Sequence, residues 1–375
     1  MKDRLLAMRP VLLRAIGYPA FFLLCFVVFL YVTFPYDRLK EVIIAQAEAP
    51  RVSPLGQTTP SGMELTIGSL GPTFFPGLKA KNVTVTYLPT TAGGRPTFMH
   101  IDEAVVHVSL FGLLLRRANV SFDIEGMGGE IEGSVSVALA PETAEPAGAT
   151  PAPRAPRAEA AASPLRSFEL KIKDVNAAEV GPLAQAVGLP VGGTLNGTIE
   201  LTVPDGQIAQ AEGAVALTAA RFTVGDGHAQ YQIPHFGGVT IDQIHAGDFA
   251  FNVNIRRGVA TLERVGSVSS EFALQMDGRI DLRPDLANSA LNLGVRFRLT
   301  DVYRARSAQA GRILTVMEMV PDLQRALRAD HLYGFRCTGT FARPPVCLPD
   351  QRGGAAAPGV GGMVPPRGFA PGGGA

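Results

Sequence analysis

This 375-residue chain has no tryptophan, three cysteines, 7% aromatic residues and a formal net charge of only +1. So even a balance leaves no basic footprint for nucleic acid and no acidic tail, and no nucleic-acid partner is expected. Catalytic signatures are missing too: there is no G-x-S-x-G elbow, no G-x-x-x-x-G-K-[ST] phosphate loop and no H-E-x-x-H. Gly126-Met127-Gly128-Gly129 comes nearest to a nucleotide loop, but a strand pattern follows it where a helix would be needed, so it reads as a tight hairpin turn. His228, His235 and His245 lie among Pro234 and Gly237-Gly238, in a loop-like stretch where surface histidines are unremarkable, and His107 falls on the polar phase of its strand. Acid pairs such as Asp102-Glu103 or Asp281 with Asp285 read as solvated turns. No nucleophile, base and stabiliser converge, so a non-enzymatic protein without catalytic residues, cofactor or metal is expected.

Long apolar runs are missing as well, with one exception. Residues 15–36 (AIGYPAFFLLCFVVFLYVTFPY) carry no charge, and about 20 helical residues span a hydrocarbon core of roughly 30 Å. Phe21, Phe22, Leu23, Leu24, Phe26, Val27, Val28, Phe29 and Leu30 form its centre, each favouring insertion by about 0.3 to 0.6 kcal/mol. Lys2, Arg4, Arg9 and Arg14 precede the run, opposed only by Asp3, which places residues 1–14 in the cytoplasm and the body on the other side. A cleaved signal peptide is the rival reading; the run is too long for one, and no small-x-small site directly follows Phe34. The expectation is a single-pass inner-membrane signal anchor with a periplasmic body.

Gly 42 and Pro 29 make up about a fifth of the chain and cluster in two stretches, 141–164 and 350–375. Neither can bury enough apolar surface to offset the entropy of ordering, so a disordered linker and a disordered tail are expected. They divide the body into two halves, 37–140 and 165–349. Cys25 lies in the apolar run. In an oxidising compartment Cys337 and Cys347 can pair across Arg343-Pro344-Pro345, stabilising that loop by about 3 kcal/mol; the alternative is two free thiols. A metal there would need further ligands, and His331 is the only candidate neighbour.

Period-2 alternation dominates the body. Phe272, Leu274, Met276 and Ile280 alternate with polar residues, as do Leu291, Leu293, Val295, Phe297 and Leu299, with a turn around Arg283-Pro284-Asp285 between the two runs. Similar strands are read at Leu195 to Val203, Phe249 to Ile255, Phe168 to Ile172, Val215 to Leu217, Val83 to Tyr87, Val120 to Ile124, Ile131 to Leu139 and, last, around Tyr333 to Phe341. The fold class is therefore mainly β: a long, curved, mostly antiparallel sheet with one apolar and one polar face. One or two short helices are expected to cover it, at Glu179 to Gly188 and within Asp301 to Asp330. In the second, Ile313, Leu314, Met317 and Val320 recur at helical spacing, Pro321 interrupts, and Leu323 and Leu327 continue the stripe. The apolar sheet face must close on itself as a core, pack on helices or hold an apolar ligand.

Several segments resemble one known family in their order. Phe34-Pro35-Tyr36-Asp37-Arg38-Leu39-Lys40 after the apolar run, Phe74-Phe75-Pro76-Gly77-Leu78 leading into a strand, Gly192-Gly193-Thr194-Leu195-Asn196-Gly197, and Thr338-Gly339-Thr340-Phe341 before Arg343-Pro344 are similar to the type II secretion system protein N family. The Phe-Pro-Gly and Gly-Thr-Leu-x-Gly pieces are also similar to AsmA-like periplasmic proteins. The first resemblance implies an inner-membrane accessory of protein secretion that contacts other proteins of the apparatus. The second implies a curved sheet offering an apolar groove to lipid. Neither implies catalytic residues.

Overall fold

The computed structural model describes residues 17–350, except 19–20, 23–24, 27–28, 30, 32, 50, 53–57, 60–61, 74–75, 89–95, 110–111, 113–115, 140–162, 234–236 and 307. Residues 1–14, nearly all of the 141–164 linker, and the tail beyond Asp350 therefore lie outside the described residues. So do Leu23, Leu24, Val27, Val28 and Leu30 of the expected anchor, whereas Phe21, Phe22, Phe26 and Phe29 are helical and exposed. Among the described residues no helix is long and apolar enough to cross a membrane.

Alternation dictates strands, and fourteen of them form one antiparallel sheet: β1 (Met63–Pro72), β2 (Gly77–Tyr87), β3 (Thr97–Val108), β4 (Arg117–Gly126), β5 (Gly129–Ala138), β6 (Leu165–Asn176), β7 (Val191–Thr202), β8 (Glu212–Val224), β9 (Ile244–Arg256), β10 (Val259–Val268), β11 (Phe272–Asp281), β12 (Ala290–Leu299), β13 (Tyr333–Thr340) and β14 (Arg343–Pro349). Each pairs only with its neighbours in sequence, so chain order is spatial order. The two expected halves are one sheet, because β5 and β6 pair across the 141–164 segment, from Glu130 opposite Lys173 to Val137 opposite Leu165. Turn chemistry supports this meander. Met127 (φ 55°) with Gly128 (φ 73°), and Arg257 (φ 49°) with Gly258 (φ 71°), give both central residues the positive φ that two-residue hairpins require.

A crease crosses the sheet near one end of β2 to β8. Asn82, Asp174 and Arg221 have φ between 51° and 53°, and the pairing shifts register at 101–103, 172–175 and 219–222. Each irregularity slips the apolar phase by one residue: Leu78 and Ala80 before Asn82, Val83 and Val85 after it. The face stays the same while the strand bends. A second bend lies at β10, where register shifts between Leu262 and Val265. There β9 and β11 come within 8 Å of each other, closer than the roughly 9.6 Å of two flat strand spacings.

Helices border the sheet. Helix α1 (Tyr36–Glu48) runs beside β1, α2 (Gly181–Val187) lies between β6 and β7, and α3 (Asp301–Arg306), α4 (Ala308–Met319) and α5 (Pro321–Ala326) fill the β12–β13 connection. Pro321 starts α5 after the break, as its sequence position demands. The helical stripe packs only in part, for Leu314 is buried while Leu327 is exposed. Helices are thus more numerous than the one or two expected, and the sheet continues past Phe341, where the last strand is expected to finish the fold: Arg343-Pro344-Pro345, expected as a short loop, begins edge strand β14.

Both edges are sealed. On β1, the Leu65 N–H donates to Glu48 Oε1 (3.1 Å) and the Gly68 carbonyl accepts from Lys40 Nζ (3.1 Å), so α1 satisfies edge groups that would otherwise face water or another chain. On β14, the Asp350 N–H donates to Gly334 O, which sets alternate residues facing inward and leaves Pro345, Cys347 and Pro349 facing outward. Two of these three have no N–H to offer.

Candidate functional site

The register of β11 and β12 assembles the expected apolar face. Phe272 lies opposite Leu299, Leu274 opposite Phe297, Met276 opposite Val295, Ile280 opposite Leu291, and Leu293 opposite Gly278. Because side chains alternate, all nine point to one side. Gly278 (φ 138°) belongs to this packing: a Cβ there would lie 2.3 Å from Asn292 O and 2.8 Å from Leu293 Cα. Strand β13 extends the face, with the Phe297 ring 5.7 Å from that of Tyr333 and 6.1 Å, nearly parallel, from that of Phe335. Such ring pairs contribute about 0.5 to 1.5 kcal/mol each.

The face does not stop at these strands. One row perpendicular to them runs Pro349, Phe335, Val295, Met276, Val265, Phe251, Leu217, Gly197, Ile172, Ile131, Ile124, Ala104, Ala80, Leu70, one residue from every strand and none of them polar. The row passes from the second half of the chain into the first without a break. Sequence reasoning read strands through nine of these positions, from Phe335 to Ile124, but named the apolar face on only two of them, β11 and β12. The rest was signalled by the same alternation, hidden where bulges slip the phase and where Ala or Gly holds an apolar position.

Among the described residues, cover lies at the ends and along one edge. The β7–β8 connection buries Val203, Ile208 and Ala211 against Val253, Ile255, Ala260 and Leu262 at one end. Tyr303, Ala310 and Leu314 of α3 and α4 pack on Ile244 and Leu299 at the other. Ile43 and Ile44 of α1 join the cluster of Ile67, Val83 and Ile101. Of the nine residues of this face only Leu291 is buried; Met276, Ile280, Leu293 and Leu299 are half-buried against the end clusters, and Phe272, Leu274, Val295 and Phe297 are half-buried between them. The other described strands form two-stranded pairs only, so no second large sheet closes a sandwich over the face.

The end cover is pinned by polar contacts. Tyr303 is fully buried and its hydroxyl donates to Asp242 O at 3.1 Å; burial, reinforced by Asp242, pushes the phenol up to about 12. Glu271 accepts from the His245 N–H (2.9 Å), pairs with His245 Nδ1 (3.1 Å) and receives Arg306 Nη1 of α3 (3.0 Å). Burial alone would raise its carboxyl, yet these hydrogen bonds and Arg306 together hold it below the ordinary carboxylate value.

The opposite face is polar. Lys79 pairs with Glu103, and Lys173 Nζ bridges Glu130 (2.9 Å) and Glu132 (2.5 Å). A shallow cleft of about 400 Å³ opens there among Glu103, His107, Asp123 and Glu132. The Asp123 carboxyl is raised, first by desolvation and then by Glu130 and Glu132. Among the described residues no group of His, Cys, Asp and Glu is placed to hold a metal ion. Cys337 and Cys347 sit opposite each other on β13 and β14 and form a disulfide; Cys25 is free.

No family model, curated protein or solved structure matches this chain.

Proposed function

We propose that this protein is a non-enzymatic, membrane-anchored carrier of lipid on the apolar face of its sheet, held at the inner membrane by residues 15–36 with the body in the periplasm. The observation that carries this reading is the fourteen-residue apolar row on an open sheet, every member of it half-buried except Val265, which is buried. A lipid acyl chain is a long, narrow apolar object, and a row of side chains along the strand order matches that shape. The test is mass spectrometry of the full chain purified in detergent. Phospholipid should co-purify with the wild type and be lost from Leu293→Asp and Phe297→Asp, while the strand signature in circular dichroism is retained. Absence of lipid from the wild type, or its persistence in both variants, would refute the carrier role. If the face were a closed core, the same substitutions would instead unfold the protein by burying unpaired charge.

A second reading is an accessory of type II protein secretion that contacts other proteins of the apparatus. It is supported by the order of the segments that resemble the protein N family, from Phe34-Pro35 to Thr340-Phe341. Deletion of the gene should then impair export of secreted proteins, and unchanged export would count decisively against it.

A further inference from the structure

The polar face carries an unresolved charge pattern. Acids lie directly opposite acids: Glu103 faces Glu125, Glu125 faces Glu130, Asp123 faces Glu132, and Glu169 faces Glu200. Like charges across a strand pair are destabilising. Lys79, Lys81 and Lys173 relieve only Glu103, Glu130 and Glu132, and among the described residues Glu125, Glu169 and Glu200 form no ion pair. These acids occupy β3 to β7. At the far end of the same face, Arg279, Arg298 and Arg336 on β11 to β13 are exposed and form no ion pair among the described residues, while Arg296 is held by Asp277. Between the two regions, the polar phase of β8 and β9 shows Ala214, Ala216, Thr218, Ala250, Asn252 and Asn254 along its middle, with charge only toward the strand ends, at Glu212, Asp248 and Arg256.

The polar face is thus acidic, neutral and basic along the strand order, and the arrangement has a centre. The middle of the acidic region, β5, and the middle of the basic region, β12, are equally far from the β8–β9 boundary. A second copy laid polar face to polar face, turned about a two-fold axis along that boundary, would set β5 against β12 and β12 against β5. Both ends are then satisfied at once, and the contact closes as a pair without growing into a filament.

We propose that the polar face is a dimerisation surface whose occupant is a second copy of this chain, the acidic region of each copy meeting the basic region of the other, with β4 and its Glu125 over β13 and its Arg336, and β6 and its Glu169 over β11 and its Arg279. This assignment concerns the face opposite the proposed lipid row and stands independently of it. Exposed charge pairs are screened by salt, so the dimer should form at about 20 mM NaCl and weaken at least about tenfold at about 500 mM.

Sedimentation of the full chain in an uncharged detergent tests the proposal. The wild type should be dimeric at low salt and monomeric at high salt. Two triple variants, Arg279→Glu/Arg298→Glu/Arg336→Glu and Glu125→Lys/Glu169→Lys/Glu200→Lys, should each be monomeric in low salt. Mixed in equal amounts they should restore a heterodimer, an outcome that misfolding of either could not produce. A wild type that is monomeric at low salt, a dimer that survives either reversal, or a mixture that stays monomeric would overturn it. So would arginine reversals that abolish binding to anionic phospholipid vesicles while leaving the oligomeric state unchanged.

Discussion

Breaking the Cys337–Cys347 disulfide should release the β14 edge before it unfolds the sheet. The bond closes a loop across a sequence separation of 10 residues. In the chain-entropy account, a loop of that length removes roughly 9 cal/mol/K from the unfolded ensemble, or about 3 kcal/mol at 25 °C. Spread over a cooperative unfolding of the whole sheet, this would lower the melting temperature by roughly 6 °C. The structure directs the loss elsewhere. Strand β14 has one neighbour, its Val346 and Leu348 are exposed, and ordering each residue costs about 1 to 2 kcal/mol of backbone entropy. With so little burial to offset that cost, about 3 kcal/mol decides whether the strand is docked. Cys347→Ser is the appropriate variant, because Cys347 is exposed and Cys337 is buried. Amide exchange at Arg336 and Thr338, which face Leu348 and Val346, should accelerate by roughly a hundredfold, the equivalent of about 3 kcal/mol, while β8 and β9 stay protected. Unchanged exchange at both amides together with an unchanged melting temperature would refute the reasoning.

Lys40→Ala and Glu48→Ala should each expose a backbone group on the β1 edge at a cost of about 0.5 to 1 kcal/mol, seen as faster exchange at Leu65 for the Glu48 variant and as salt-insensitive self-association by light scattering; no change in either would argue against α1 as an edge seal. The depressed Glu271 carboxyl makes a signed prediction. A group with a lowered folded pKa stabilises above its unfolded value, here near 4.5, and that contribution is lost as pH falls through the folded value. Glu271→Gln should therefore cost about 2 kcal/mol at neutral pH, and its unfolding curve should converge with that of the wild type as the pH falls below the unfolded value and through the folded one; a gap that persists unchanged in strong acid would sink the argument.

Strand positions were legible where alternation ran uninterrupted. The 272–282 and 291–299 runs gave the residues of β11 and β12 and the direction of their side chains, since ten consecutive residues in one phase leave little choice. Only Val83 to Tyr87 of β2 was legible, because the phase slips at Asn82 and the earlier half, Leu78 and Ala80, falls on the other parity. β10 was missed for the same reason, with its slip between Leu262 and Val265. β14 was hidden by chemistry: three prolines read as a loop, and they are tolerated only because the strand has a free side on which two of them need no N–H. The disulfide partners could be named as candidates, but their opposition on adjacent strands depends on β14 being a strand. The charge pattern of the polar face was out of reach, since every like-charge contact joins residues at least five apart whose juxtaposition is a matter of register.

A strictly sequential meander turns chain position into spatial position, and this bears on how the apolar row would be used. Helix α1 directly follows the 15–36 segment, to which it is tied by the Tyr36 hydroxyl donating to Tyr31 O, and it lies along β1. On the proposed anchoring, the β1 edge is therefore the one nearest the membrane, and the edge sealed by prolines and the disulfide is the farthest. Thirteen strand spacings of about 4.8 Å separate them, roughly 62 Å along the row if flat and less where the sheet bends. The row is narrow in side-chain bulk near the first edge, with Leu70, Ala80 and Ala104, and bulkier toward the second, with Phe251, Met276, Val295 and Phe335. An acyl chain lying along it would meet no polar side chain at any strand, so no single residue has to recognise it. Continuity of the face, not a constellation of groups, is what such a role needs, and continuity leaves no local motif for a sequence to display.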